Sequence, residues 1–133
     1  MIIADTNLIG YLLITGPDTP RAEAVYEKDS VWAAPILWRS EFRNVLAGYV
    51  RNQGLPLADA LGIMADAESL LAHNEHHVDS APVLAMANSS GCAACDCEFV
   101  VLAELLGLPL VTADRKVLRS FPHAAVSFED FVK

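Results

Sequence analysis

Short apolar runs alternate along the chain with longer stretches in which apolar residues recur every three or four positions. Met1–Ala4 is a compact apolar run that ends at an acid, as a buried strand does. Asn7–Leu13 reads as a helix, and Gly16-Pro17-Asp18-Thr19-Pro20 as a loop. A short helix is expected over Arg21–Lys28 and a second strand over Val31–Ala34, closed by Pro35. Between Ile36 and Asn52 the apolar positions Trp38, Phe42, Val45, Leu46, Tyr49 and Val50 keep helical spacing until Gly54 stops it. Leu57–Ala72 is a further amphipathic helix, followed by a third strand at His76–Val78. Ala81–Ser89 is a helix halted by Gly91, and Asp96–Leu106 one halted by Gly107. Leu110–Thr112 is a fourth strand, Arg115–Arg119 a helical turn and Ala125–Ser127 a fifth strand. Short apolar strands alternating with helices predict an α/β domain with a parallel sheet covered on both faces.

At 133 residues, 53% of them apolar, the chain is expected to form one domain with a substantial core. No apolar run reaches the roughly 18 residues of a membrane span. The first residues carry Asp5 and Asn7 and lack a basic leader, so no signal peptide is expected. Three cysteines do not make a disulfide pattern, and a reducing cytoplasm is the expected setting.

Asp5 and Asp114 each follow a predicted strand. Ligands of open α/β sheets bind beyond the carboxyl ends of strands. Strand-end acids also cap the next helix, so either acid alone is ambiguous. Glu41 and Asp96 are harder to explain away, although Asp96 could also be a simple N-cap. Glu41 shares a helical line with Leu37, Val45 and Gly48, and Asp96 one with Phe99, Val100, Ala103 and Leu106. A carboxylate that faces a core needs compensation, and Arg39 and Arg43, two residues from Glu41, point elsewhere on a helix. A divalent cation would compensate both acids, and oxygen-only ligation selects Mg²⁺ or Mn²⁺ over zinc.

The net charge of −8 runs against gripping nucleic acid through bulk electrostatics. Its distribution softens this. Five of the nine basic residues, Arg39, Arg43, Arg115, Lys116 and Arg119, lie in two stretches that each hold one of the four acids.

The segments Ile3-Ala4-Asp5-Thr6-Asn7, Trp38-Arg39-Ser40-Glu41-Phe42-Arg43-Asn44-Val45-Leu46, Cys95-Asp96-Cys97-Glu98-Phe99 and Val111-Thr112-Ala113-Asp114-Arg115-Lys116 together resemble the PIN-domain nucleases. Size and element order resemble the bacterial VapC-type toxins. The resemblance covers essentially the whole chain. It implies a five-stranded parallel sheet in the order 3-2-1-4-5, which sets the ends of strands 1 and 4 side by side. It places Asp5, Glu41, Asp96 and Asp114 at the catalytic and metal positions, with Asp5 and Asp96 as main ligands. Asp114 would complete the site or orient water, and Glu41 would ligate or act as general base. Thr112 takes a supporting hydroxyl position and Asn7 a polar position at the rim. The implied activity is Mg²⁺- or Mn²⁺-dependent hydrolysis of RNA, with the five basic residues as a rim for its backbone. The implied partners are a cognate antitoxin and a second copy of the chain. The cysteines flanking Asp96 depart from the family's usual aromatic or small residues.

Four other readings compete. Cys92 and Cys95, with His73 and His77, have spacings that zinc accepts. Cys92-Ala93-Ala94-Cys95 before a helix has the form of a redox motif. Asp5 ending the first strand could be a phosphatase nucleophile, although Asn7 stands where a second acid is usual. A PIN-fold protein could also act as a nucleic-acid or protein binding module without catalysis.

Overall fold

A computed structural model describes residues 1–133. Five parallel strands form one sheet in the order β3-β2-β1-β4-β5. They are β1 (Ile2–Ala4), β2 (Trp32–Pro35), β3 (Glu75–His76), β4 (Leu110–Val111) and β5 (Ala125–Val126). The helices between and beyond them are α1 (Thr6–Leu13), α2 (Thr19–Lys28), α3 (Trp38–Asn52), α4 (Leu57–Leu70), α5 (Ser80–Ser90), α6 (Ala94–Leu106), α7 (Arg115–Ser120) and α8 (Phe128–Val132). The central strand β1 is buried at every position, as expected of a parallel strand covered on both faces. Trp32, Trp38, Phe42 and Phe128 are among the largest fully buried side chains of the core. Each such aromatic contributes on the order of 2 kcal/mol or more by leaving water.

Pro35, expected to close β2, is its last residue, and Thr19 and Pro20, expected in a loop, open α2, where proline is tolerated in the first turn. Two larger features also differ from the pattern-based expectation. The third strand is Glu75–His76, not His76–Val78. Its register, Ala34 with Glu75 and Pro35 with His76, brings the Glu75 carboxylate to α3. There it accepts from Trp38 Nε1 at 2.7 Å and from Arg39 Nε and a terminal nitrogen at 2.5 and 2.8 Å. Partners so distant in sequence override the weak strand propensity of a glutamate. The second difference is α8. Ser127 was expected to end a strand; instead its hydroxyl accepts from the Asp130 N–H at 3.1 Å and caps a last helix that buries Phe128.

The helix stops at Gly91 and Gly107 come out as expected. Both glycines sit in the left-handed region, φ 74° and 65°, where a Cβ is costly.

Candidate active site

The pairing of β1 with β4 builds the centre of the site. Ala4 lies beside Val111, so the next residues, Asp5 and Thr112, meet at the carboxyl ends of the two strands. The Asp5 N–H donates to the Val111 carbonyl at 3.2 Å and fixes that register. Thr112 is fully buried, and its hydroxyl donates to Asp5 Oδ2 at 2.5 Å. The same hydroxyl accepts from the Asp114 N–H at 3.0 Å. Asn7 adds its side-chain amide, donating to Asp5 Oδ2 at 3.3 Å and to the Thr112 hydroxyl at 3.4 Å, while its carbonyl accepts from the Ala113 N–H at 3.3 Å. Asp5, Asn7, Thr112 and Asp114 are thus one hydrogen-bonded unit formed by chain ends about a hundred residues apart.

Both strand-end acids also cap helices. Asp5 Oδ1 accepts from the Thr6 N–H at 2.8 Å, at the start of α1. Asp114 Oδ1 accepts from the Lys116 and Val117 N–H groups at 2.9 and 3.2 Å, at the start of α7. Asp96 does not cap: α6 begins after Ala93, and Asp96 lies in its first turn. The partial positive charge of the helix N-termini helps to hold these three anions together.

Glu41 enters from α3. Its Oε1 accepts from the Thr6 hydroxyl at 2.7 Å, which ties α3 to the start of α1. Thr6 is buried and was not singled out by sequence reasoning, because its partner lies 35 residues away. A second residue missed in this way is Glu98, half-buried on α6, whose charge is felt at Glu41. It belongs to the Cys95–Phe99 segment, two residues from Asp96 on α6, a spacing that does not put two side chains on one helical line.

The four acids repel one another. Burial raises the Asp5 carboxyl above its ordinary value; hydrogen bonds from Thr112 and Thr6 oppose this, and the Asp96 and Asp114 charges add to it. Glu41 is raised by burial and by Asp5, Asp96 and Glu98, against the Thr6 hydrogen bond. Asp96 is raised by burial and by Asp114, with Lys116 opposing. Of the basic residues expected near these acids, Lys116 is thus the one whose charge acts on them. Arg39 is held by Glu68 and Glu75, and Arg43 lines a groove between α3 and α4. The reason is helical geometry: residues two positions from Glu41 emerge on other faces of α3. Arg115 and Arg119 lie exposed on α7.

These donors are oxygens carrying excess negative charge, a set that suits a hard divalent cation such as Mg²⁺ or Mn²⁺. No three His, Cys, Asp or Glu side chains are closed into a finished ligand cage. Mg²⁺ is commonly held through one or two carboxylates, with water filling its remaining positions, so the residues fit such an ion. The histidines and cysteines assemble no metal group either, and Cys92, Cys95 and Cys97 are free thiols.

Comparison with known structures agrees on the fold. PAE2754 from Pyrobaculum aerophilum superposes with a TM-score of 0.78 at 21% identity, over 98% of this chain and 85% of that one. FitAcB from Neisseria gonorrhoeae gives 0.73 at 21% identity, over 97% and 99%. A toxin–antitoxin complex from Klebsiella pneumoniae gives 0.69 at 16% identity, over 96% and 98%. No curated protein matches the chain. The sequence pattern of the PIN domain matches residues 2–124, nearly the whole length, and with the sheet order described above the chain belongs to the PIN domain family.

Proposed function

We propose that the protein is a Mg²⁺- or Mn²⁺-dependent endoribonuclease and the toxin component of a type II toxin–antitoxin pair. The observation that carries this reading is the gathering of Asp5, Glu41, Asp96 and Asp114 at the carboxyl edge of β1 and β4 without an arginine to neutralise them. Asp5 and Asp96 would hold the ion, with Asp114 completing the set or orienting water. An ion held there would supply a polarised water and offset the charge that develops on the attacked phosphate. Glu41, fixed through Oε1 by Thr6, keeps its second oxygen for a ligand or for accepting a proton from the attacking water. Thr112 and Asn7 hold Asp5 in one orientation, which hydrolysis at a fixed distance requires. Lys116, with Arg115 and Arg119 on α7, offers a basic edge to the RNA backbone of a substrate approaching an otherwise acidic protein.

The structural likeness to a toxin–antitoxin complex from Klebsiella pneumoniae supports an antitoxin partner, and we extend this to a homodimer acting in the cytoplasm. No helix is long and apolar enough to cross a membrane. Leu57 and Leu61, one turn apart on α4, are 64% and 63% exposed, and such an apolar face suits a protein partner.

Incubating the protein with structured RNA, with and without Mg²⁺ or Mn²⁺, tests the reading. Cleavage should require the ion and disappear in Asp5→Asn. Ion-independent cleavage, or an equally active Asp5→Asn, would overturn it. RNA that is bound and never cut would favour the binding-module alternative.

A further inference from the structure

Beside the acid cluster lies a partly enclosed cleft of about 310 Å³ between α1, the loop that follows it and α3. Two of its lining residues, Thr6 and Asn7, are the same ones that hold Glu41 and Asp5, so the cleft opens directly onto the site. Its other walls include Gly10, Tyr11, Val45 and Tyr49. Val45 and Tyr49 are one turn apart on α3 and 37% and 39% exposed, which leaves their side chains available to a ligand.

Gly10 carries a second, independent observation. It lies in the interior of α1, where glycine costs about 1 kcal/mol relative to alanine. Packing does not require it: a Cβ there would meet only Phe42, at an ordinary contact distance of 3.7 Å. Gly10 is buried at the inner wall of the cleft, where α1 passes Phe42 of α3. The cleft floor is also stiff. Thr19 donates to the carbonyls of Tyr11 and Ile14 at 2.8 and 3.3 Å and accepts from the Gly16 N–H at 3.0 Å.

The volume is at the lower end of the roughly 300–1,000 Å³ that small-molecule sites span, suited to one nucleoside and too small for a peptide helix. Stacking on aromatic side chains is how proteins take an unstacked base of single-stranded RNA, and it does not depend on the charge of the surroundings. We propose that this cleft is a nucleobase subsite: it receives the base of a nucleotide flanking the scissile phosphate, stacked on Tyr49 and walled by Val45 and Tyr11. This rests on the ribonuclease reading. It adds that the base next to the cut is held by the protein, so that cleavage depends on which base stands there.

The subsite can be tested without cleavage. The wild-type chain in Mg²⁺ is titrated with adenosine, cytidine, guanosine and uridine 5′-monophosphates, and with ribose 5-phosphate, while backbone amide resonances are followed. At least one nucleotide should shift Gly10, Tyr11 and Tyr49, and ribose 5-phosphate should leave them in place. Tyr49→Leu should weaken that nucleotide by about five- to tenfold or more, the loss of one base–aromatic stack. Tyr49→Phe, which keeps the ring, should retain the shifts. Equal responses to ribose 5-phosphate and nucleotides, shifts confined to the acids, or cleft resonances that move only with a protein partner would overturn the subsite. RNA cleavage by the wild type is measured separately. Cleavage without base binding refutes the subsite and leaves the ribonuclease standing, whereas base binding without cleavage upholds the subsite and refutes the ribonuclease.

Discussion

The Thr112 hydroxyl donates to Asp5 Oδ2 at 2.5 Å while accepting from the Asp114 N–H at 3.0 Å, so one buried side chain fixes both strand-end acids. Asp5 owes its orientation to a residue 107 positions later in the chain. Thr112→Val keeps the shape and removes these two bonds together with the one accepted from the Asn7 amide. It leaves Asp5 Oδ2 short of a donor and the Asp114 N–H without its acceptor, at a cost of about 1–3 kcal/mol. Because such outer partners orient metal ligands, Mn²⁺ affinity should fall by roughly 10–100-fold. Calorimetric titration with Mn²⁺ and thermal melting check this; an unchanged affinity would remove Thr112 from the site.

Asp5→Asn should melt higher than wild type in EDTA. Burial and the neighbouring Asp96 and Asp114 charges make the ionised Asp5 carboxylate unfavourable, and the neutral amide escapes that cost while asparagine still caps α1. If about 1 kcal/mol is recovered, the shift is roughly 3–5 °C for a chain of this size. Adding Mn²⁺ should raise the wild-type melting temperature, since an ion that binds only the folded state stabilises it, and should raise the mutant's much less. A mutant that melts lower in EDTA, with neither protein responding to Mn²⁺, contradicts an ion site at Asp5.

The gap between the two proteins should depend on pH in a defined direction. The Asp5 carboxyl lies above its ordinary value of 3.8 in the folded chain. Below that ordinary value the side chain is protonated in both folded and unfolded states, and its burial costs wild type nothing. As the pH rises through the higher folded value, the unfolded chain ionises more readily than the folded one, so wild-type stability is lost. In EDTA the melting advantage of Asp5→Asn should therefore be small near about pH 4 and grow toward about pH 7. A constant gap across that range would mean that the charge of Asp5 is not what the substitution relieves.

Glu75→Gln should weaken the fold without touching the chemistry. The amide keeps an acceptor for Trp38 Nε1 but loses the charge that Arg39 grips through two nitrogens. Arg39 and Glu75 retain 28% and 18% side-chain exposure, so screening limits the loss to about 1 kcal/mol. Arg39 holds the Glu75 carboxyl below its ordinary value, so this contribution is present above the ordinary 4.5 and lost as the pH falls through the lower folded value. RNA cleavage at neutral pH should be unchanged. A large loss of cleavage with little loss of stability would return Arg39 to the substrate-binding rim.

Much of the architecture was legible locally. A strand is an apolar run, a helix a period of three to four, and a stop a glycine at positive φ; all are set by residues close in sequence, and the element order follows from them. Asp5 and Asp114 stand out because strand ends are local features, and the capping of α8 is equally local, in Ser127 and the Asp130 N–H it accepts from. Four relationships had no local signature: Thr6 with Glu41, Thr112 with Asp5, Arg39 with Glu75, and the shared field of Glu98, Glu41, Asp5 and Asp96. Each joins elements that only the sheet order brings side by side. Hydrogen bonds and charge interactions depend on distance in space, which periodicity does not encode. For that reason the sequence alone determined which acids were available and on which elements they ride. The tertiary structure decided which of them share a site, which cation opposes them, and that an open cleft lies beside them.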